Sequence, residues 1–169
     1  RSEFLSRLPD DLVSFLTRTA VLDRLSGPLC DAVLGTSGSA RVLESLESSN
    51  LLIVALDDRR TWYRYHHLFR DLLRAERQRR GDPDTEDLFN RAAAWHEDHG
   101  DAAEAFEYSR RGNDFARAGR ILMRHWDACL GSGRGTTLMH WLDRCAEDDI
   151  ESEPQLALGQ PAPVREVGG

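Results

Sequence analysis

Apolar residues along the chain fall into short periodic runs, each closed by glycine, proline or a polar turn. In residues 9–20, Leu12, Leu16 and Ala20 recur at helical spacing, and Pro9 fits the first turn. SGPLCDAVLG, residues 26–35, predicts a second, short helix that Ser26 caps, Pro28 opens and Gly35 stops. A third helix is expected over 38–49, with Val42, Leu43 and Leu46 turned inward. LLIVAL, residues 51–56, is brief and rich in β-branched residues, which predicts a strand. DDRR makes a turn, and TWYRYH, residues 61–66, alternates as the return strand. Three helices and then a hairpin is the element order of a winged-helix domain.

From Leu68 onward the pattern is helical throughout. Leu68, Phe69, Leu72 and Leu73 carry one stripe, and the arginine-rich end RAERQRR is expected in solvent. GDPD, residues 81–84, breaks the chain. The following helix runs to about His99 with Leu88, Ala92 and Trp95 on one face, and Gly100 ends it. DAAEAFEYSRRG forms a short helix ended by Gly112. Residues 114–130 place Phe115, Ala118, Leu122, Trp126 and Cys129 on one side. After the connector GSGRG, residues 136–146 bury Leu138, Trp141, Leu142 and Cys145. Ala92, Ala93, Ala102, Ala105, Ala116, Ala118 and Gly119 let neighbouring helices approach closely, as in a tetratricopeptide-like array. Residues 147–169 are acidic and then contain Pro and Gly, so the array is expected to be interrupted there.

Composition narrows the chemistry. The 169 residues are 40% hydrophobic, enough for a core, and carry a net charge of −7. Every basic side chain is arginine. Without lysine the chain contains no P-loop of its own, and Schiff-base chemistry is excluded. Cys30, Cys129 and Cys145 are odd in number and widely spaced, which argues for buried thiols over disulfides or a zinc site. No apolar run reaches bilayer length and no secretory pattern opens the chain, so the cytoplasm is the expected location.

Three motifs resemble chemistry that their context does not complete. In HEDH the histidines at 96 and 99 are three apart, not the four of a metalloprotease helix, and solvent-facing polar residues are expected there. GSGRG joins helix to helix and follows no strand, unlike a phosphate loop. Trp95, Trp126 and Trp141 read as packing residues. No catalytic or metal-ligating set is identified. The third helix would present Ser39, Arg41, Glu44, Ser45, Glu47 and Ser48 to a DNA groove, and its carboxylates would repel phosphate. Arg59 and Arg60 in the wing follow Asp57 and Asp58. Protein contact is therefore expected of this domain in place of DNA reading.

LPDDLVSFLTRTAVLDRLSGPLCDAVLG and LLIVALDDRRTWYRYHHLFRDLLRA resemble the MalT-like, ATP-dependent LuxR-family transcriptional regulators, which belong to the signal-transduction ATPases with numerous domains. The resemblance covers about residues 4–130 and is most specific at AVLDRLSGPLCDAV and WYRYHHLFRDLL. Members of that family carry an ATPase core, a winged helix, a helical-repeat sensor and a C-terminal DNA-binding helix-turn-helix; the same module also occurs fused to serine/threonine kinases. The resemblance implies a role for His66. In the wider class a winged-helix histidine contacts the β-phosphate of ADP and holds a resting state, within a Met-His-Asp motif in the plant and animal members. In YHHLFRDLL, His66 stands at that histidine, and His67 replaces the motif's Asp. A ring N–H beside a helix N-terminus suits a phosphate oxygen.

The expectation is thus a mainly α chain with four parts: a winged-helix domain with one β-hairpin at 1–66, a connecting helix at 67–82, a repeat-like region at 83–146 and a tail at 147–169. Its expected role is that of a non-catalytic regulatory fragment, with ATP or ADP held elsewhere in the full-length protein. Expected partners are an upstream ATPase domain, downstream repeats, an effector small molecule or regulatory protein, and a second copy through the interrupted array; no membrane is expected. The alternatives are a DNA-binding winged-helix protein with a helical dimerisation region, and the same module from a kinase-fused regulator.

Overall fold

The computed structural model describes residues 5–49 and 52–131, with side chains as far as 125. The expected helix at 136–146, the tail, and the placements of Trp126, Cys129, Trp141 and Cys145 lie outside the described residues.

The chain is mainly α, a winged-helix domain followed by further helices. A 3-10 turn at Leu5–Arg7 leads into helix α1, Asp10–Thr19. Helix α2 spans Gly27–Leu34 and α3 spans Ser39–Ser48. The caps of α2 are those read from the sequence. The Ser26 hydroxyl accepts the Leu29 N–H at 3.3 Å, and Gly35 closes the helix at φ 67°, where a side chain would be strained. Strands β1, Ile53–Ala55, and β2, Tyr63–Tyr65, pair antiparallel with Ile53 opposite Tyr65. Leu25 extends this sheet by one bridge, its N–H and C=O each meeting Tyr63 at 2.8 Å. The wing is thereby fixed to the segment between α1 and α2.

Helix α4, His67–Arg80, leaves β2 with no intervening loop, and Gly81 ends it at φ 65°. Helices α5, Thr85–Asp98, and α6, Ala102–Arg111, are joined by three residues and pack along each other as a helical hairpin, with α5 also lying against α2. Helix α7 spans Phe115–Gly131, so it takes in the first glycine of GSGRG. The described residues up to Ile121 form one compact unit, whose core runs without a break from Leu16 and Leu29 through Tyr63, Phe69 and Leu73 to Leu88, Ala92 and Tyr108.

Five expectations about side chains are corrected. Leu68 is 67% exposed. The buried seam of α4 is Phe69, Leu73, Glu76 and Arg77, a helical i, i+4, i+7, i+8 set that leaves Leu68 outside it. The same seam carries the middle of RAERQRR inward, so Glu76 and Arg77 are each only 5% exposed, while Gln78, Arg79 and Arg80 stay in solvent. Glu76 answers burial with Arg79 at 2.7 Å and Arg80 at 3.0 Å, which hold its carboxyl below the usual range against desolvation. His96 is buried, not solvent-facing, because it continues the Leu88–Ala92 stripe of α5 by one more turn. On α7, Phe115 is exposed while Ala118 and Ile121 are buried. In α3, Ser39 is buried too, its N–H donating to Asp31 at 2.9 Å.

Cys30 is fully buried within α2, and desolvation pushes its thiol up to about 12, so it stays a protonated core residue. Gly27 lets α2 approach α3: a Cβ there would stand 2.8 Å from the Cβ of Ala40. Gly27→Ala is expected to destabilise the chain by about 1–3 kcal/mol through overpacking. Urea denaturation of the variant checks this.

Candidate functional site

The strand–helix joint is built from main chain. The His66 N–H donates to the Leu52 carbonyl at 3.0 Å, and the His66 carbonyl accepts the Arg70 N–H at 3.0 Å, the first turn of α4. With φ −57° and ψ 136°, His66 is the N-cap residue, and its ring makes no capping bond. Both histidine rings are exposed and lie 4.5 Å apart, tilted by 32°. His66 therefore sits where the sequence placed it, at the head of a helix, with its imidazole directed away from the core. Beneath it Tyr65 is buried, and its hydroxyl meets the Thr19 hydroxyl at 2.7 Å, tying β2 to α1.

Along α4, Arg70 and Arg74 are one turn apart and share a face. Both meet Asp23, in the segment between α1 and α2, at 3.7 Å and 3.3 Å. Arg74 also donates to the Ala20 carbonyl at 3.1 Å. The other oxygen of Asp23 accepts from Arg111 of α6 at 2.7 Å. The Asp23 N–H donates to the Tyr108 hydroxyl at 3.0 Å, and the Arg111 guanidinium lies over the Tyr108 ring at 5.5 Å. One aspartate thus joins the winged helix, the connecting helix and the helical hairpin. Arg111, held by Asp23, is kept even more firmly protonated than an ordinary arginine, although desolvation opposes this.

A second fastening stands at the C-terminal end of α4. Asp84 takes Arg18 of α1 at 3.0 Å and buried Arg77 of α4 at 2.8 Å, and Arg77 also donates to the Thr85 hydroxyl at 2.8 Å. The two guanidinium groups hold Asp84 below the usual carboxylate range, against its desolvation. A third contact is aromatic. Trp62 of the wing meets Trp95 of α5 edge-on at 6.1 Å, with Arg24 over Trp62 at 5.3 Å and His99 stacked on Trp95 at 3.8 Å. Trp95 is thus an inter-element packing residue.

The outward face of α3 carries Arg41, Glu44, Ser45 and Ser48, while Glu47 pairs with Arg60 of the wing at 3.3 Å. A basic group that could have met phosphate is already neutralised by a carboxylate. Asp23, Asp84 and Tyr108 were not singled out by sequence reasoning. Each looks like an ordinary surface residue until the fold brings its partners together.

The profile of the MalT winged helix domain matches residues 1–86. The chain belongs to this family. Among curated relatives, it is 28% identical over 161 residues to the serine/threonine-protein kinase PknK of Mycobacterium tuberculosis, covering 92% of this chain and 14% of the kinase. It is 28% identical over 162 residues to the HTH-type transcriptional regulator MalT of Vibrio cholerae, covering 94% of this chain and 18% of the regulator. The MalT of Vibrio parahaemolyticus is 27% identical over 157 residues, with 17% of its length covered. The chain therefore spans less than a fifth of these relatives. Among the described residues no helix is long and apolar enough to cross a membrane.

Two outcomes are expected. Asp23→Asn removes the charge that three arginines share, and because these pairs are partly solvated the loss is about 1–2 kcal/mol. Urea denaturation at low and high salt measures it, and the difference from the unsubstituted chain shrinks as salt rises. His96 is the second case. Burial holds its imidazole below the ordinary 6.5, with Asp101, 3.6 Å away, opposing. The unfolded chain then binds the proton more readily than the folded one. This contribution to stability is complete above pH 6.5 and declines as pH falls through that value. The melting temperature should drop from about pH 7.5 to about pH 5.5, and less steeply in His96→Gln.

Proposed function

We propose that this chain is a non-catalytic regulatory segment of a longer ATP-dependent transcriptional regulator, coupling a nucleotide-binding core to a helical array that senses an effector. The family and its MalT and PknK relatives support the broader statement that it comes from a regulator. One observation carries the finer reading. Helix α4 continues directly from the hairpin and is fastened along its length, to Leu52 at its head, to Asp23 in its middle and to Asp84 at its end. A rotation of the winged helix would therefore be delivered to α5 and α6 as a rigid-body movement instead of being absorbed in a loop.

His66 is the residue through which a nucleotide would act. Its exposed ring stands at the head of α4, whose first-turn amides and macrodipole favour an anion. The proposed contact is the β-phosphate of ADP held by an upstream ATPase domain. Loss of that contact on exchange for ATP would bias two domain arrangements. The further partners in this reading are downstream repeats and a small-molecule or protein effector, in the cytoplasm. The kinase relative supports the same relay with a different output domain.

In the full-length protein, His66→Ala is expected to raise the ADP dissociation rate and the basal output. An unchanged dissociation rate would sink the histidine's role. Asp23→Asn in the same protein should leave ADP dissociation as it was and weaken the response to effector, because it cuts the relay downstream of the nucleotide. Nucleotide-release kinetics and a transcription or kinase assay read the two arms separately.

A further inference from the structure

About 12–17 Å along α4 from His66, by the helical rise to Arg74 and Arg77, lies a cleft of about 390 Å³. Arg74 and Arg77 of α4 and Arg111 of α6 converge on it, while Val21 and Phe89 supply apolar walls. Its lining carries three guanidinium groups, from Arg74, Arg77 and Arg111, against one carboxylate, Asp82, while Asp23 and Asp84 pair with these arginines from outside the lining and Glu107 lies near Arg111. Arg77 is 5% exposed, yet its Nη1 has no hydrogen-bond partner, and the nearest carboxylate oxygen to that nitrogen, on Asp82, is 3.8 Å away. Buried guanidinium donors normally have acceptors, and their planar fork matches phosphate and carboxylate oxygens.

We propose that this cleft is a binding site for a small organic dianion, a phosphate monoester with a compact apolar body. The phosphate supplies acceptors to Arg74, Arg77 and Arg111 and meets a lining with three guanidinium groups and one carboxylate, since a monoester carries close to two negative charges at neutral pH. The apolar body lies against Val21 and Phe89. Ligand occupancy ties α4 to α6 more tightly, because the anion touches arginines of both helices. The site is separate from the His66 end of α4, and it stands or falls independently of any nucleotide relay there.

The test is isothermal titration calorimetry on the 169-residue chain at about 50 mM salt, where screening is modest. Phenyl phosphate is the probe. Inorganic phosphate, benzoate and phenol are the comparisons for headgroup, single charge and body. Phenyl phosphate should bind saturably at one site, inorganic phosphate and benzoate each about tenfold more weakly, and phenol without measurable heat. Gln78 lines the cleft and is exposed, so it can be changed without disturbing the core. Gln78→Glu should weaken phenyl phosphate about tenfold and Gln78→Arg should tighten it, with unchanged circular dichroism in both. Arg74→Gln should weaken it as well. Absence of saturable binding, equal affinity in the two Gln78 variants, or benzoate binding as well as phenyl phosphate would each overturn the proposal.

Discussion

The carboxylate of Asp23 is the point on which the arrangement of this chain turns. It stands in the segment between α1 and α2, close to Leu25, whose bridge to Tyr63 anchors the wing. It draws in Arg70 and Arg74 from the connecting helix and Arg111 from α6, while its own N–H is taken by Tyr108. A single exposed pair of this type contributes little to stability. Here several pairs share one acceptor, partly shielded from water and backed by a buried aromatic ring, and together they fix the geometry between elements. Hydrophobic packing would be satisfied by many relative rotations of α4 and α6; the fork geometry of the guanidinium groups selects among them.

That selection gives the winged helix its mechanical character. The hairpin enters α4 without a linker, so the main chain is stiff at the joint, and the Tyr65–Thr19 hydroxyl pair holds the base of that joint to α1. At the far end, Asp84 repeats the arrangement with Arg18 and Arg77. The polar contacts run along α4 beside a seam of Phe69 and Leu73, so burial and ion pairing reinforce the same contact. The groups left facing outward, His66, His67 and Leu68 at the helix head and Arg41 and Glu44 on α3, are those with the least role in holding the unit together.

What could be read from the sequence was what neighbours in sequence determine. Ser26, Gly35 and Gly81 punctuate helices by local chemistry, and the alternation in TWYRYH marked the return strand, in which the structure buries Tyr63 and Tyr65. The order of three helices, hairpin and further helices followed from these signals. Polar residues on buried seams were harder. Arg77 and His96 occupy inward helical positions that composition alone assigns to solvent; Asp84 and Thr85 meet the buried Arg77, and Tyr108 and Asp101 lie against the buried His96. Asp23 was out of reach because its partners lie 51 and 88 residues away. The switch from alternating to helical spacing in TWYRYHHLFRD put His66 at the joint, whereas its role as a phosphate contact comes from the resemblance alone.

The choice of arginine throughout has an outcome for control in the cell. Enzymes that silence positive charge by acylating amines find no side-chain target on a chain whose cations are all guanidinium. The clasp around Asp23 is thus closed to the commonest covalent route for erasing a cation. It yields instead to torque on α4 or to a rival anion competing for the same forks.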